Sequence, residues 1–257
     1  MSQRARVHRL LHRVLPGFPV PIYVSPGFWF ITRNDHLSSQ VFAGSFETNE
    51  CAAFASVLRP GMTVLDIGAN VGFYSLLASR LIGPGGRVIA FEPSAREGRR
   101  LALHLRINGA RNVTTEPFAL GERNEEATFY VVEERDSGCN SFRPGDLGLP
   151  TTPVTVSVKR LDDCLPRGTR IDVVKIDVEG AELSALRGGE QMFRRDRPPV
   201  MCEIEEIRIA PWGYRGRDIV DLLAGWGYEW SAITEHGLRP LSGSESEFSG
   251  NFLARPR

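Results

Sequence analysis

From Met62 onward, short apolar runs alternate with segments whose apolar residues recur at helical spacing. The stretch "TVLDIG" predicts a strand, and residues 73–81 a helix that stops near Gly83-Pro84-Gly85-Gly86. "RVIAFEP" predicts the next strand, ended by Pro93, followed by a helix over residues 94–108 with Asn108-Gly109 as its stop. "NVTTEPFALG" reads as a third strand, and "ATFYVVE" and "VTVSVKRL" as β pieces on either side of a polar loop. "IDVVKIDVEG" is a buried strand, "AELSALRG" a short helix closed by Gly188-Gly189, and "PVMCEIEE" another strand. A helix through "RDIVDLLAGWGY" and strands in "YEWSAI" and "NFLARP" complete the pattern. Such alternation implies right-handed crossovers and a Rossmann-like α/β domain, its mostly parallel sheet covered by helices on both faces. Ligands of such sheets sit beyond the carboxyl ends of the strands.

The first residues follow another rule. Val7, Leu10, Leu11, Val14 and Leu15 stand at helical spacing among arginines, and Pro16, Pro19 and Pro21 break what comes next. The head reads as a helix that packs on the domain or a second subunit, or lies on an anionic membrane surface. Residues 1–45 are taken as a basic extension and 46–257 as the α/β domain, allowing a homodimer. The head does not read as a signal peptide, and no run approaches the length of a membrane span.

Composition narrows the chemistry. Among 257 residues, 31 basic and 31 acidic groups balance, which argues against a nucleic-acid partner. The balance is uneven, because Arg4, Arg6, Arg9, Arg13 and Arg33 precede the first acid, Asp35. Cys51, Cys139, Cys164 and Cys202 are scattered, so they are expected to be reduced thiols of a cytoplasmic protein, not a zinc or disulfide framework.

The turn in "VLDIGANVGFYS" carries the chemistry. Gly68 permits the sharp bend, Asn70 tolerates a left-handed backbone, and Gly72 lets the helix start lie close to sheet or ligand. A dinucleotide fingerprint requires glycine where Asn70 and Phe73 stand, so an oxidoreductase is the weaker reading. Asp66 can meet a cationic ligand, and Glu92, twenty residues beyond Gly72, sits where a carboxylate accepts from both ribose hydroxyls. Ala69, Phe73, Pro93, Ser94 and Ala119 flank that position. A ribose, a cationic centre and no phosphate cradle together suggest S-adenosylmethionine. The bland alternative makes Asp66 a helix cap and Glu92 a solvated strand-end acid.

With "GSFETNE", "FEPS", "LRINGARNV", "VKRLDD", "VVKIDVEGAE" and "NFLAR", these motifs run from Gly44 to Arg255, and the chain resembles the FkbM family of S-adenosylmethionine-dependent methyltransferases. The resemblance implies a class I methyltransferase fold, a seven-stranded sheet whose last strand is antiparallel, and O-methylation of sugars or natural-product scaffolds. It also implies a place for Glu47 under the cofactor, for His36 in a segment approaching the site, and for Asn140 and Ser141 in a polar loop, residues 136–142, near the acceptor.

In "VVKIDVEGAE", alternation puts Lys175 and Asp177 on one side of the strand. Asp177 is the first candidate for the base or orienting group, Glu179 the second, and Lys175 is expected to pair with one of them. The competing structural reading is a Lys175–Glu182 ion pair, with Glu179 on a helix dipole. Glu203 can contact the acceptor or share a divalent cation, for which no third ligand is evident. His236 is a further candidate base, while His8, His12 and His104 carry no expected role. "APWGY", Trp226 and Trp230 can wall the acceptor, although the two later tryptophans suit a core better. A non-catalytic cofactor-binding subunit and an RNA methyltransferase remain as other readings.

Overall fold

The computed structural model describes residues 3–14, 18–25, 27–132, 137–143, 150–166, 168–245 and 247–257. Its main sheet runs, edge to edge, Gly237–Pro240, Tyr228–Thr234, Ser249–Pro256, Val200–Glu205, Val173–Ile176, Thr63–Ile67, Arg87–Phe91 and Val113–Glu116. Strand Ser249–Pro256 is inserted antiparallel against both neighbours, as expected of a class I methyltransferase fold. The sheet has eight strands where seven were expected, because "GLRP" folds back on Tyr228–Thr234 as a hairpin.

Alternation along the strands assigns residues to two helical layers. Leu65, Ile67, Val174 and Ile176 face one apolar cluster, with Leu186, Phe193 and Leu223 from helices Glu182–Gly188, Glu190–Asp196 and Gly216–Gly225. Val64 and Val173 face the other, with Phe54, Leu76 and Leu77 from helices Thr48–Val57 and Phe73–Ile82. Both faces are dry, which is why these strands read as unbroken apolar runs. Asp66 and Lys175 interrupt that rule on the second face, side by side in the parallel register. Trp226 and Trp230 are buried in the first cluster.

Elsewhere the pattern needed correction. "NVTTEPFALG" divides at Pro117 into Val113–Glu116 in the main sheet and Ala119–Leu120 in a second sheet. Proline has no N–H for a ladder, so the chain changes sheets there. The two β pieces around the polar loop, Glu125–Val132 and Thr151–Lys159, pair antiparallel in that second sheet. "EQMFRRD" forms a helix that was not anticipated, Glu190–Asp196.

The N-terminal hairpin, Val20–Val24 with Phe28–Thr32, joins the second cluster through Phe28 and Phe30. His104, given no role from the sequence, fastens it. Its Nε2 accepts from Ile31 N–H at 3.0 Å, its Nδ1–H donates to the Val71 carbonyl at 2.7 Å, and its ring stacks on Phe30 at 4.3 Å. Burial lowers its pKa below the usual imidazole value, consistent with a neutral ring in that tautomer.

Gly72 has φ +88°, and a Cβ there would stand 2.3 Å from Leu101 Cδ1. The close contact is with helix Ala95–Ile107 and not with the sheet. Gly72→Ala is therefore expected to destabilise the protein by roughly 2 kcal/mol, read as a lower midpoint in chemical denaturation. An unchanged midpoint would contradict the packing assigned here.

Candidate functional site

Beyond the carboxyl ends of the central strands lies a cavity of about 240 Å³. One wall is the turn between strand Thr63–Ile67 and helix Phe73–Ile82. Gly68, Asn70 and Gly72 all have positive φ (82°, 49° and 88°), which folds this turn tightly. A Cβ on Gly68 would fall 1.8 Å from the Asp177 carbonyl oxygen, so the turn is pressed against the loop after the neighbouring strand. Gly68 N–H and Ala69 N–H donate to the Phe91 carbonyl at 3.1 and 2.9 Å.

Glu92 is held by two further amides. Its Oε2 accepts from Asn70 N–H and its Oε1 from Ser94 N–H, each at 2.8 Å. Each oxygen keeps a lone pair for an incoming donor. The residue is buried, and that burial raises its pKa to about 8 despite the two amides. It lines the cavity, so the solvated strand-end alternative is excluded. Ala69, Phe73, Pro93 and Ala119 line it too, whereas Ser94 contributes its amide and Gly72 only the shape of the turn.

Asp66 is fully buried, and its carboxyl group meets the backbone N–H of Ser75 in the first turn of helix Phe73–Ile82, as the helix-cap alternative has it. Its Oδ2 accepts from Ser75 O–H at 2.6 Å, while Oδ1 has no hydrogen-bond partner among the described residues. Beside it, Lys175 Nζ lies 2.9 Å from Asp177 Oδ2 and 4.6 Å from the Tyr74 ring centroid. Tyr74 O–H donates to Glu47 Oε2 at 2.6 Å, and Glu47 lines the cavity. Burial alone would lower the Lys175 pKa, but the charges of Asp177, Asp66 and Glu47 outweigh it and push the pKa up. The ammonium is therefore fixed. Burial raises the pKa of Glu47. Glu50 lies in the first turn of helix Thr48–Val57, where an acid suits the helix dipole.

The opposite wall gathers acids. Carboxylate oxygens of Asp177, Glu179 and Glu203 lie within 4.8 Å of one another, supplying the third carboxylate the sequence left open. Glu179, at φ +54°, pairs with Arg208 at 2.9 Å instead of sitting on a helix dipole. The Asp177 charge and then burial push the Glu203 pKa up. The trio can hold a divalent ion, but Lys175 and Arg208 already neutralise two of its members.

The proposed Lys175–Glu182 pair does not form. Glu182 is buried and accepts from Val178 N–H and Gly180 N–H at 3.1 Å each, bracing the loop that carries Asp177. Tyr214 O–H closes the same loop onto the Gly180 carbonyl at 2.6 Å. Gly180 leaves space for this approach, since a Cβ there would meet Arg208 O at 2.3 Å.

At the mouth, exposed His36 shares a hydrogen bond with Gln40 at 3.0 Å. Asn140 faces the cavity and accepts from Val132 N–H, but Ser141 is buried against Tyr130 and does not line it. Asp136 of that loop lies outside the described residues. His236 sits exposed on the distant hairpin turn, and Trp212 packs on Phe142 and Arg143 outside the cavity, so neither lines the site. Among the described residues none of the four cysteines forms a disulfide, and Cys139, which lines the cavity, accepts from an Arg208 N–H at 3.0 Å. Tyr74 and Arg208 escaped the sequence reading. Tyr74 opens a largely apolar helix, where its hydroxyl was the available signal, whereas Arg208 stands in "EIRI" beside acids and gave none.

Residues 66–230 match the family model described as Methyltransferase FkbM domain. The chain is 32% identical over 203 residues to 31-O-demethyl-FK506 methyltransferase FkbM of Streptomyces tacrolimicus, covering 66% of this chain and 74% of that protein. It is 30% identical over 211 residues to AMB antimetabolite synthetase AmbE of Pseudomonas aeruginosa, covering 67% of this chain but 10% of that protein. Over 138 residues it is 32% identical to ribosomal RNA large subunit methyltransferase E of the same species, covering 54% and 56%. The chain thus spans less than two thirds of some of the curated relatives it matches. No helix among the described residues is long and apolar enough to cross a membrane.

Replacing Lys175 with methionine leaves Asp66 and Asp177 without their shared counter-charge. The expected cost is about 3 kcal/mol of unfolding free energy, partly recovered when Asp66→Asn is added. A Lys175→Met protein as stable as the parent in urea would show that the ammonium is not structural.

Proposed function

The chain belongs to the FkbM methyltransferase domain family, and from this we propose that it is an S-adenosylmethionine-dependent methyltransferase of a hydroxyl group on a sugar or natural-product small molecule. The observation that supports this most directly is Glu92, a carboxylate oriented by two amides and facing the cavity. A ribose diol supplies the two donors such a group lacks. The unpartnered Oδ1 of buried Asp66 fits the cationic end of the same ligand, directly or through water. Four amides of the turn, those of Gly68, Ala69, Asn70 and Gly72, already donate within the protein. A pyrophosphate would find these donors taken and a carboxylate beside it, which disfavours a dinucleotide.

When bound, S-adenosylmethionine supplies an electrophilic methyl group. The chain's own task is to hold the acceptor oxygen in line and take its proton. Asp177 is the proposed acceptor of that proton, with Lys175 fixing its orientation at 2.9 Å. Glu179 and Glu203 are proposed to receive hydrogen bonds from other hydroxyls of the acceptor, His36 and Asn140 to border it, and no step requires a metal. A wall of three carboxylates also repels phosphodiesters, favouring a small acceptor over RNA.

Glu92→Ala is expected to weaken S-adenosylmethionine binding at least about tenfold by calorimetry; equal affinity removes the ribose assignment. The pH dependence follows from the pKa of about 8. The ligand's donors favour the ionised carboxylate, so affinity rises with pH until about 8 and then levels. Binding at neutral pH releases a proton, visible when the buffer's ionisation heat is varied and lost in Glu92→Gln. Asp177→Asn is expected to slow S-adenosylhomocysteine formation on a competent hydroxyl acceptor by about 10²- to 10⁴-fold. A variant of parental rate assigns the base elsewhere.

A further inference from the structure

The helix Gln3–Val14 is turned against its own amphipathic pattern. His8 and His12 face inward, at 1% and 3% exposure, with His8 against Phe42 of helix His36–Ala43. Val7, Leu10 and Val14 face outward at 45%, 61% and 70%. Water selects the opposite arrangement, apolar residues in and imidazoles out. Nitrogens of both histidines are buried without hydrogen-bond partners among the described residues, so the inward face gains little from this orientation.

The outward aliphatics fall within one arc of the helix, bordered by exposed Arg6 and Arg13. The hairpin that follows in the chain also exposes an aromatic pair, Tyr23 at 63% and Trp29 at 46%, ring centroids 5.4 Å apart. We propose that this face is a docking surface for an anionic lipid membrane, on which the helix lies in the interfacial plane.

Charge selects the occupant. Residues 1–34 hold five arginines and no acid, complementary to anionic headgroups. Two copies paired through this face would set one arginine-rich head against another. Nucleic acid satisfies the arginines but offers no apolar layer for Val7, Leu10 and Val14. A headgroup layer over acyl chains meets both demands.

The full chain should cosediment with phosphatidylcholine vesicles containing phosphatidylglycerol, and binding should fall as salt is raised. The Leu10→Ser/Val14→Ser double variant should bind about tenfold more weakly, with an unchanged melting temperature because both side chains are exposed. Arg13→Glu should weaken binding to the anionic vesicles while leaving the fold intact. The proposal is overturned if the protein ignores these vesicles, or binds pure phosphatidylcholine equally well. It is also overturned if light scattering shows a dimer that the double variant abolishes, or if the face retains RNA instead of lipid.

Discussion

The site depends on one buried ammonium. Lys175 stands in a strand whose other side chains are apolar, and taking its charge out of water is costly without partners. Asp177 supplies a direct contact, Asp66 lies beside it in the strand register, and Tyr74 presents its ring face. The same group therefore joins the end of strand Thr63–Ile67, the end of strand Val173–Ile176 and the start of helix Phe73–Ile82. Acids gathered at neighbouring strand ends would repel one another without it.

A second constraint couples the two halves of the cavity. Gly68 approaches the Asp177 backbone so closely that no side chain fits between them. The turn proposed to hold the cofactor and the loop proposed to hold the acceptor are thus in van der Waals contact. Glu182 and Tyr214 brace that loop from behind, and Glu92 is tied to the turn through Asn70. Groups that must be placed within tenths of an ångström are accordingly carried by backbone amides and packed glycines, the arrangement expected of a preorganised site.

Tertiary contacts also explain the departures from pattern. Pro117 splits an apparent strand because its ring cannot join a ladder, and the second piece finds partners in another sheet. Gly72 answers to Leu101 on a different helix, and Glu179 turns to Arg208. In each case the deciding partner is far away in sequence, where periodicity carries no information.

The chain's local order was legible from the residues: the alternation of strands and helices, the left-handed turn at Gly68 and Asn70, the placing of Glu92 at a strand end, and Lys175 and Asp177 on one side. These follow from backbone sterics and side-chain periodicity, which act over a few neighbours. Only the folded chain decided that Asp66 lies beside Lys175, that Glu203 meets Asp177 and Glu179, that Ser141 turns away from the cavity, and that two histidines displace the aliphatics beneath the first helix. Those outcomes depend on strand register and helix rotation, set by the sum of many distant contacts rather than by any local motif.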